Sequence, residues 1–576
     1  VSNSFYDSTT SGQLDDDGRG TPKTTQQMSQ EGTFTGWTFT RSGTGGDSDR
    51  WIMAGYPHLQ VEWSTTITTL AQIQMMALDI DAAYTVANNI SASGTSAWNY
   101  DSGTSLYLGF EPVGTSASPF IGSLNGVDYT ISGLYIDRPT TDYVGLIGKS
   151  GPGGGAIQYV RLTGVDVTGR DYVGALVGAL DTTSLANSSA SGTVTGRNAV
   201  GGLCGTSGES GISRSYAAVD VVSSGIYAGG LLGYNSNATV NNSYATGSVS
   251  GDYSGGLIGL SNFASTISYS YATGDVSGSS TLGGGLIGAQ GVDGNLTIEY
   301  SYASGTVTGT GGLGGLLGFG TGDTTITASF HTGQDNGGTL KTDQQMRTQS
   351  TFTDGGWSFA VDGTGGDSNV WIMAGYPHLQ MEWSTTITTL AQLQMMALDL
   401  DASYTLANDI DASDTSAWNY DTGSSSYFGF APVGADGAEF IGTLDGNDKS
   451  ISNLYIMTEN ADFVGLFGVT NAATISDLGL TAVDITAWRY IGALAGKTEN
   501  STTITNCFST GSVGAGLPGG STFGGLVGWN QSSTISKSYS SASASGMNTS
   551  GGLVGNNTGT ISNSYATGSV WAGLSL

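Results

Sequence analysis

Apolar positions in this chain come in short alternating runs closed by glycine, with almost none of the three-and-four spacing of an amphipathic helix. In ISNSYATGSV, which starts at Ile561, Ser564, Ala566, Gly568 and Val570 share one face of an extended strand. The same unit recurs as VNNSYATGSVSG from Val240 and ISYSYATGDVSG from Ile267. Between these units runs a Gly-Leu element centred on Leu146, Leu176, Leu203, Leu231, Leu257, Leu286 and Leu316, at steps of 30, 27, 28, 26, 29 and 30 residues. Leu466, Leu494, Leu526 and Leu553 repeat it further on. The position of Ser564 stays small in every copy, as Ser188, Ser215, Ser243, Ser270, Ser301, Cys507 and Ser538. The position just before it is mixed (Asn187, Arg214, Asn242, Tyr269, Tyr300, Asn506, Lys537), as at a solvated corner. No such segment can bury its face alone, so the pattern predicts stacked coils, a β-solenoid. Coils in register would set equal residues ~4.8 Å apart, and seven of them would span roughly 35 Å. The glycine pairs are expected to supply tight corners at positive φ.

A longer repeat encloses the short one. WIMAGYPHLQVEWSTTITTLAQIQMMALDIDAAYTVANNI begins at Trp51 and recurs, nearly unchanged, 320 residues later at Trp371. The fragment predicts one complete module and most of a second, with the protein extending at both ends. We read residues 1–6 as the tail of a preceding module, 7–63 as a junction element, 64–143 as a capping helix with the first coils, and 144–330 as repeated coils. The second module repeats this order over 331–383, 384–463 and 464–576. LAQLQMMALDLDASYTLANDID, from Leu390, predicts a helix of about 8–10 residues followed by a strand through Tyr404, Leu406 and Ile410. The KTTQQM segments predict a second short helix, and the aromatic-rich WIMAGYPHLQVEW suits a junction both packed and wetted.

Composition narrows the function. Sixteen Lys and Arg against 46 Asp and Glu leave a net charge of −30, which excludes nucleic acid and anionic lipid as partners. The 94 glycines come with only 9 prolines and no glycine every third residue, so the chain is not collagenous. Hydrophobic residues at 38% suffice for a core, yet no apolar run has the ~18 residues of a membrane helix. The chain starts at Val1 without a signal peptide, as a mature or excised segment would. Cys204 and Cys507 sit in unrelated contexts and read as small buried thiols.

The alternation of GGLVG with ISNSYATGSV resembles the GLUG motif of large secreted bacterial surface proteins, among them haemagglutinin-like adhesins and the non-catalytic part of some immunoglobulin proteases. YTLANDID and GTLDGNDKSISNLYI, followed by VGLFG, resemble the sequence that precedes such repeats. The resemblance implies an all-β fold of right-handed parallel β-helix blocks, with coils of about 28 residues joined by short helical, aromatic-rich segments. It further implies an extracellular, cell-surface location, and it carries over no catalytic residues.

Candidate chemistry is sparse. His58, His331 and His378 have no second histidine or cysteine at metal-ligand spacing, and packing or surface roles are expected for them. A β-helix polysaccharide lyase or hydrolase is the rival reading, but no carboxylate cluster interrupts the repeat and Lys and Arg are scattered. No catalytic residue, metal site or cofactor is assigned. Calcium is the one ion weighed: Asp399 with Asp401, Asp409 with Asp411, Asp79 with Asp81, and Asp15, Asp16 and Asp17 offer hard oxygen ligands, but no EF-hand loop or nonapeptide calcium repeat is present and a solvated acidic face accounts for them better. The strongest candidate is an aromatic column recurring once per coil: Tyr216, Tyr244, Tyr271, Tyr302 and Phe330, then Phe508, Tyr539 and Tyr565. Strict alternation sets these rings opposite the small residues, as an exposed ladder suited to sugar rings or a neighbouring fibre. A parity shift at the corner of Asn563 would instead make them core. The expected function is a rigid adhesin stalk whose partners are cell-surface glycans or proteins, with a self-assembling filament bound to copies of itself as the alternative.

Overall fold

The computed structural model describes the chain except for residues 1, 15–17, 19, 41–50, 279–281, 292–293, 335–336, 361–370, 459, 516–520, 547–548 and 573–576. It divides into two compact units, Val1–Leu340 and Lys341–Leu576. Each is a parallel β-solenoid whose coils stack with identical positions paired.

In the first unit, ten strands form one face, from Thr66–Ile67 through Gly211–Ser213 and Thr239–Asn241 to Thr324–Thr327. Seven strands, from Ile147–Lys149 to Leu317–Phe319, form a second face. On the third, the long strand Tyr216–Gly229 pairs with both Tyr244–Ala245 and Val249–Gly255 of the next coil. The second unit repeats the plan, with Thr474–Ala487 pairing to Phe508–Ala515. The only antiparallel strand pairs among the described residues are short hairpins, such as Trp371–Ala374 with Tyr376–Leu379.

The core is built of columns. Every leucine of the Gly-Leu element in the first unit is buried, and so are Ile212, Val240, Ile267 and Ile298, which pair directly from coil to coil. Each such side chain contributes about 1.5–3 kcal/mol of burial. At the N-terminal end of the stack, Thr69 caps a helix over Leu70–Met75 that continues as a 3-10 turn through Leu78. The second unit repeats this at Leu390–Met395 and Met396–Leu398, as its sequence predicts. The KTTQQM segments are helical too, with Thr24 and Thr342 closing capping boxes on Gln27 and Gln345.

One expectation is overturned. The glycine pairs of the Gly-Leu elements do not sit at positive φ. They permit close approach: a Cβ on Gly229 would lie 2.0 Å from the Leu232 carbonyl oxygen, and one on Gly230 would lie 2.1 Å from that of Gly256 in the next coil. The left-handed corners are held instead by side-chain-bearing residues, including Arg214, Asn242, Tyr269, Tyr300, Asn506, Lys537 and Asn563 at φ 45–56°. These are the positions whose mixed composition marked a solvated corner.

A buried hydrogen-bond ladder explains the small column beside that corner. Turning the chain there leaves each following serine's N–H inside, where an unpaired donor is costly. The amide of Ser215 donates to Ser243 Oγ at 3.2 Å, that of Ser243 to Ser270 Oγ at 3.3 Å, and that of Ser270 to Ser301 Oγ at 3.2 Å. Each hydroxyl in turn donates within its own coil, as Ser243 Oγ does to Asn241 O at 2.8 Å. Cys507 takes the serine position in the second unit, with its amide donating to Ser538 Oγ at 3.1 Å. Both cysteines are buried free thiols, and burial pushes each up to about 12.

Candidate interaction face: stacked aromatic columns

The serine ladder fixes the parity of the tyrosines. Ser243 and Ala245 point inward, so the intervening Tyr244 points away from the coil interior. Repetition in register stacks the rings on one another. Tyr216 and Tyr244 lie 4.8 Å apart with planes 2° from parallel, Tyr244 and Tyr271 4.8 Å apart at 1°, and Tyr271 and Tyr302 4.9 Å apart at 5°. Phe330 pairs with Tyr302 in the next coil. In the second unit, Phe508, Tyr539 and Tyr565 follow at 5.1 Å, within 4° of parallel.

This geometry revises what the ladder can do. Rings this close and this parallel cover each other's faces, so an interior ring offers edges and a hydroxyl rather than a flat surface for a sugar. Tyr216, Tyr244, Phe508 and Tyr539 are half-buried, whereas Tyr271, Tyr302 and Phe330 are at most 5% exposed. Tyr565 is 58% exposed. The column is outward-pointing and largely covered at once, a combination neither parity alternative contained.

A second set of stacked aromatics lies at the turn into some of the Gly-Leu elements, and the sequence reading missed it. Tyr143 stacks on Tyr172 at 5.0 Å and 7°, and Phe463 on Tyr490 at 5.0 Å and 17°. All four adopt positive φ, between 55° and 61°. Its signal was present as the recurrent Asp-Tyr-Val-Gly or Asp-Phe-Val-Gly before the leucine, at Asp142, Asp171 and Asp462. Those aspartates carry inter-coil ion pairs. Arg170 binds Asp142, Arg197 binds Asp171, and Arg489 reaches Asp462 at 2.7 Å. The Arg197 guanidinium holds the Asp171 carboxyl below its usual value. Lys497 lies 5.4 Å from the ring centres of both Phe463 and Trp529, and pairs with Glu499 at 2.5 Å.

The acidic charge is also ordered. One exposed column reads Asp166, Thr193, Asp220, Ser248, Asp275, Thr306 along six coils. Carboxylate alternates with hydroxyl, so like charges never meet at the inter-coil spacing. Ser248 Oγ donates to Asp220 at 2.7 Å, and the Thr306 amide donates to Asp275 at 2.8 Å.

The remaining candidates are engaged locally. His58 and His378 each bind a glutamate one turn on, Glu62 and Glu382, at 2.8 Å, and His331 is buried. Asp409 accepts the Ser450 amide at 2.8 Å, and Asn89 in the first unit accepts that of Thr130 at 2.9 Å. A side-chain oxygen to accept a backbone N–H is what that position needs, and an amide serves as well as a carboxylate. Asp411 takes Ser413 N and Asn453 Nδ2, both at 3.0 Å. The Asp401 side chain, bonded to Asp399, raises the Asp399 carboxyl above its ordinary value. Asp15, Asp16 and Asp17 lie outside the described residues. Among the described residues no three His, Cys, Asp or Glu side chains converge where a metal ion could be held. A cleft of about 890 Å³ in the first unit is lined by Asp79, Asp81, Asp101 and Glu111, among others. Asp101 there closes on its own turn, through Gly103 N at 3.0 Å and Thr104 Oγ1 at 2.8 Å.

Comparison with known proteins agrees with the repeat. The GLUG motif matches residues 169–195, 224–250 and 548–570. Residues 388–511 match the N-terminal region of the M26 IgA1-specific metallo-endopeptidases. Halomucin of Haloquadratum walsbyi is 38% identical over 136 residues, 22% of this chain and 1% of that protein. A putative Gly-rich membrane protein of Evansella cellulosilytica is 42% identical over 72 residues, 12% of this chain and 8% of that protein. The chain thus matches only a small part of either relative's length. A putative immunoglobulin A1 protease of Bacteroides ovatus aligns at 19% identity and a TM-score of 0.36, covering 55% of this chain and 92% of that one. The chain carries GLUG repeats, and its fold is a parallel β-solenoid.

Proposed function

We infer that this GLUG-repeat chain is a segment of a large secreted surface protein, working as a stiff spacer that holds adhesive contacts away from a cell. One observation carries the reading: coil after coil repeats the same buried columns and hydrogen-bond ladders, and many outward side chains repeat with them. Inter-coil hydrogen bonds resist bending and extension together, because parting two coils breaks the whole set of bonds between them. Repeated outward groups favour many weak contacts over one tight site, so avidity rather than affinity sets adhesion. The net charge of −30 keeps such a surface soluble and directs it away from acidic partners.

Beads bearing the chain at graded densities, offered to a glycan array and to cells, test this reading. Binding should rise steeply with density and vanish for the free chain. No binding at any density would refute the adhesive role. Cleavage of an offered polysaccharide would refute the non-enzymatic one.

A further inference from the structure

We propose that Tyr539 and Tyr565 form an oxidative staple, a dityrosine bond joining two successive coils of the second unit. The two rings stack at 5.1 Å and 4°, from equal positions of adjacent coils that are paired in register. Register therefore brings their hydroxyl-bearing edges and ortho carbons alongside one another. Tyr539 is half-buried, as are its equivalents Tyr216 and Tyr244, and the column points away from the coil interior, so a small oxidant reaches the ring edges. The column also limits the reaction: the next ring is Phe508, stacked on Tyr539 at 5.1 Å, and a phenyl ring has no phenolic hydrogen to surrender. Among the described residues of the second unit, this column offers the bond one place, Tyr539 to Tyr565.

The chemistry balances with hydrogen peroxide and a peroxidase as the one-electron oxidising system. Each phenol loses one electron and one proton, giving two phenoxyl radicals. Their ortho carbons join, and the two hydrogens displaced there restore both hydroxyls as the rings rearomatise. The product is lighter by two hydrogen atoms, and one peroxide becomes two waters. Holding both rings in contact gives the internal reaction a large effective concentration over coupling between molecules. The staple would add a covalent link between coils that otherwise hold together by hydrogen bonds, buried columns and ring stacking.

The sequence provides a clean assay. No Lys or Arg follows Lys537, so trypsin releases both tyrosines in one peptide, and Met547 lies between them. The whole chain, dilute, is treated with peroxidase and peroxide, digested with trypsin, cleaved at methionine with cyanogen bromide, and weighed by mass spectrometry. The two halves should stay joined, lighter by two hydrogens. Tyr565→Phe should abolish the joined product, and Phe508→Tyr should add a second link, to Tyr539. The same treatment in strong urea should lose the internal product, since the rings are then no longer held together. Halves that separate in the folded wild type overturn the proposal, as does joining that persists in Tyr565→Phe or that is undiminished in urea. Oxidised dimers in place of the internal product would overturn it too.

Discussion

Ser243→Ala is the sharpest probe of the coil. The hydroxyl is fully buried, accepts the Ser215 amide at 3.2 Å and donates to Asn241 O at 2.8 Å. Alanine fits the space but leaves the Ser215 N–H with no acceptor, and stranding a buried donor costs about 1–3 kcal/mol. At about 1.4 kcal/mol per decade, the local opening equilibrium should shift roughly five- to 150-fold. Stacked coils lose structure as neighbouring rungs rather than all at once, so a global melting temperature would dilute the effect. Amide hydrogen exchange resolves it: a peptide spanning Ile212–Ala217 should exchange faster by that factor, while peptides of the second unit stay unchanged. Ser243→Cys should lose less, because Cys507 occupies the same position natively and bonds to Thr505 O at 3.3 Å. Unchanged protection in the alanine variant would refute the ladder as a source of stability.

Three further substitutions test other parts of the fold. Gly230→Ala would force a Cβ to 2.1 Å from the Gly256 carbonyl oxygen and should cost at least the ~1–3 kcal/mol of an overpacked core, whereas Gly208→Ala, whose nearest atom is 4.0 Å away, should be neutral; urea unfolding midpoints compare the two. Thr193→Asp would set a new carboxylate directly between those of Asp166 and Asp220, so its unfolding midpoint should fall at low salt and recover at high salt; a deficit indifferent to salt refutes the charge argument. Asp171 is held below the ordinary carboxyl value of 3.8 by Arg197, so its contribution is present above pH 3.8 and lost as pH falls through the lower folded value. Asp171→Asn should lack that contribution at neutral pH and show less acid sensitivity in the same window, read from circular dichroism during acid titration.

The solenoid was legible because it is periodic. Ser188, Ser215, Ser243 and Ser270 recur at coil length, and only stacking in register makes such recurrence useful. The capping helix was legible for a local reason: Leu390–Met395 combines helix formers with a threonine cap. The conformation of the corners was not. A glycine pair and an asparagine are both turn residues by composition, and no pattern of apolar positions says which takes positive φ and which permits close approach. Neighbouring backbone decides it, through the Gly256 carbonyl over Gly230 and the Ser215 amide awaiting Ser243. The second aromatic column was overlooked because Tyr143, Tyr172 and Phe463 stand beside the Gly-Leu element, whose leucines draw attention as core.

The ladders also bear on how such a chain binds anything. Stacking Tyr216, Tyr244, Tyr271 and Tyr302 within 5° of parallel consumes the ring faces that sugar recognition uses, and yields an aromatic rib that stiffens the stack. A binding surface built on this coil must then use edges, hydroxyls and the Asp–Arg rows beside Tyr172 and Tyr490, groups that form directional but individually weak hydrogen bonds with a wet partner. Weak contacts at one-coil spacing are useful only where a partner repeats as well, on a glycan chain or on another coil. On the proposed adhesive role, the same repetition that builds the core would favour an extended, periodic partner over a compact one.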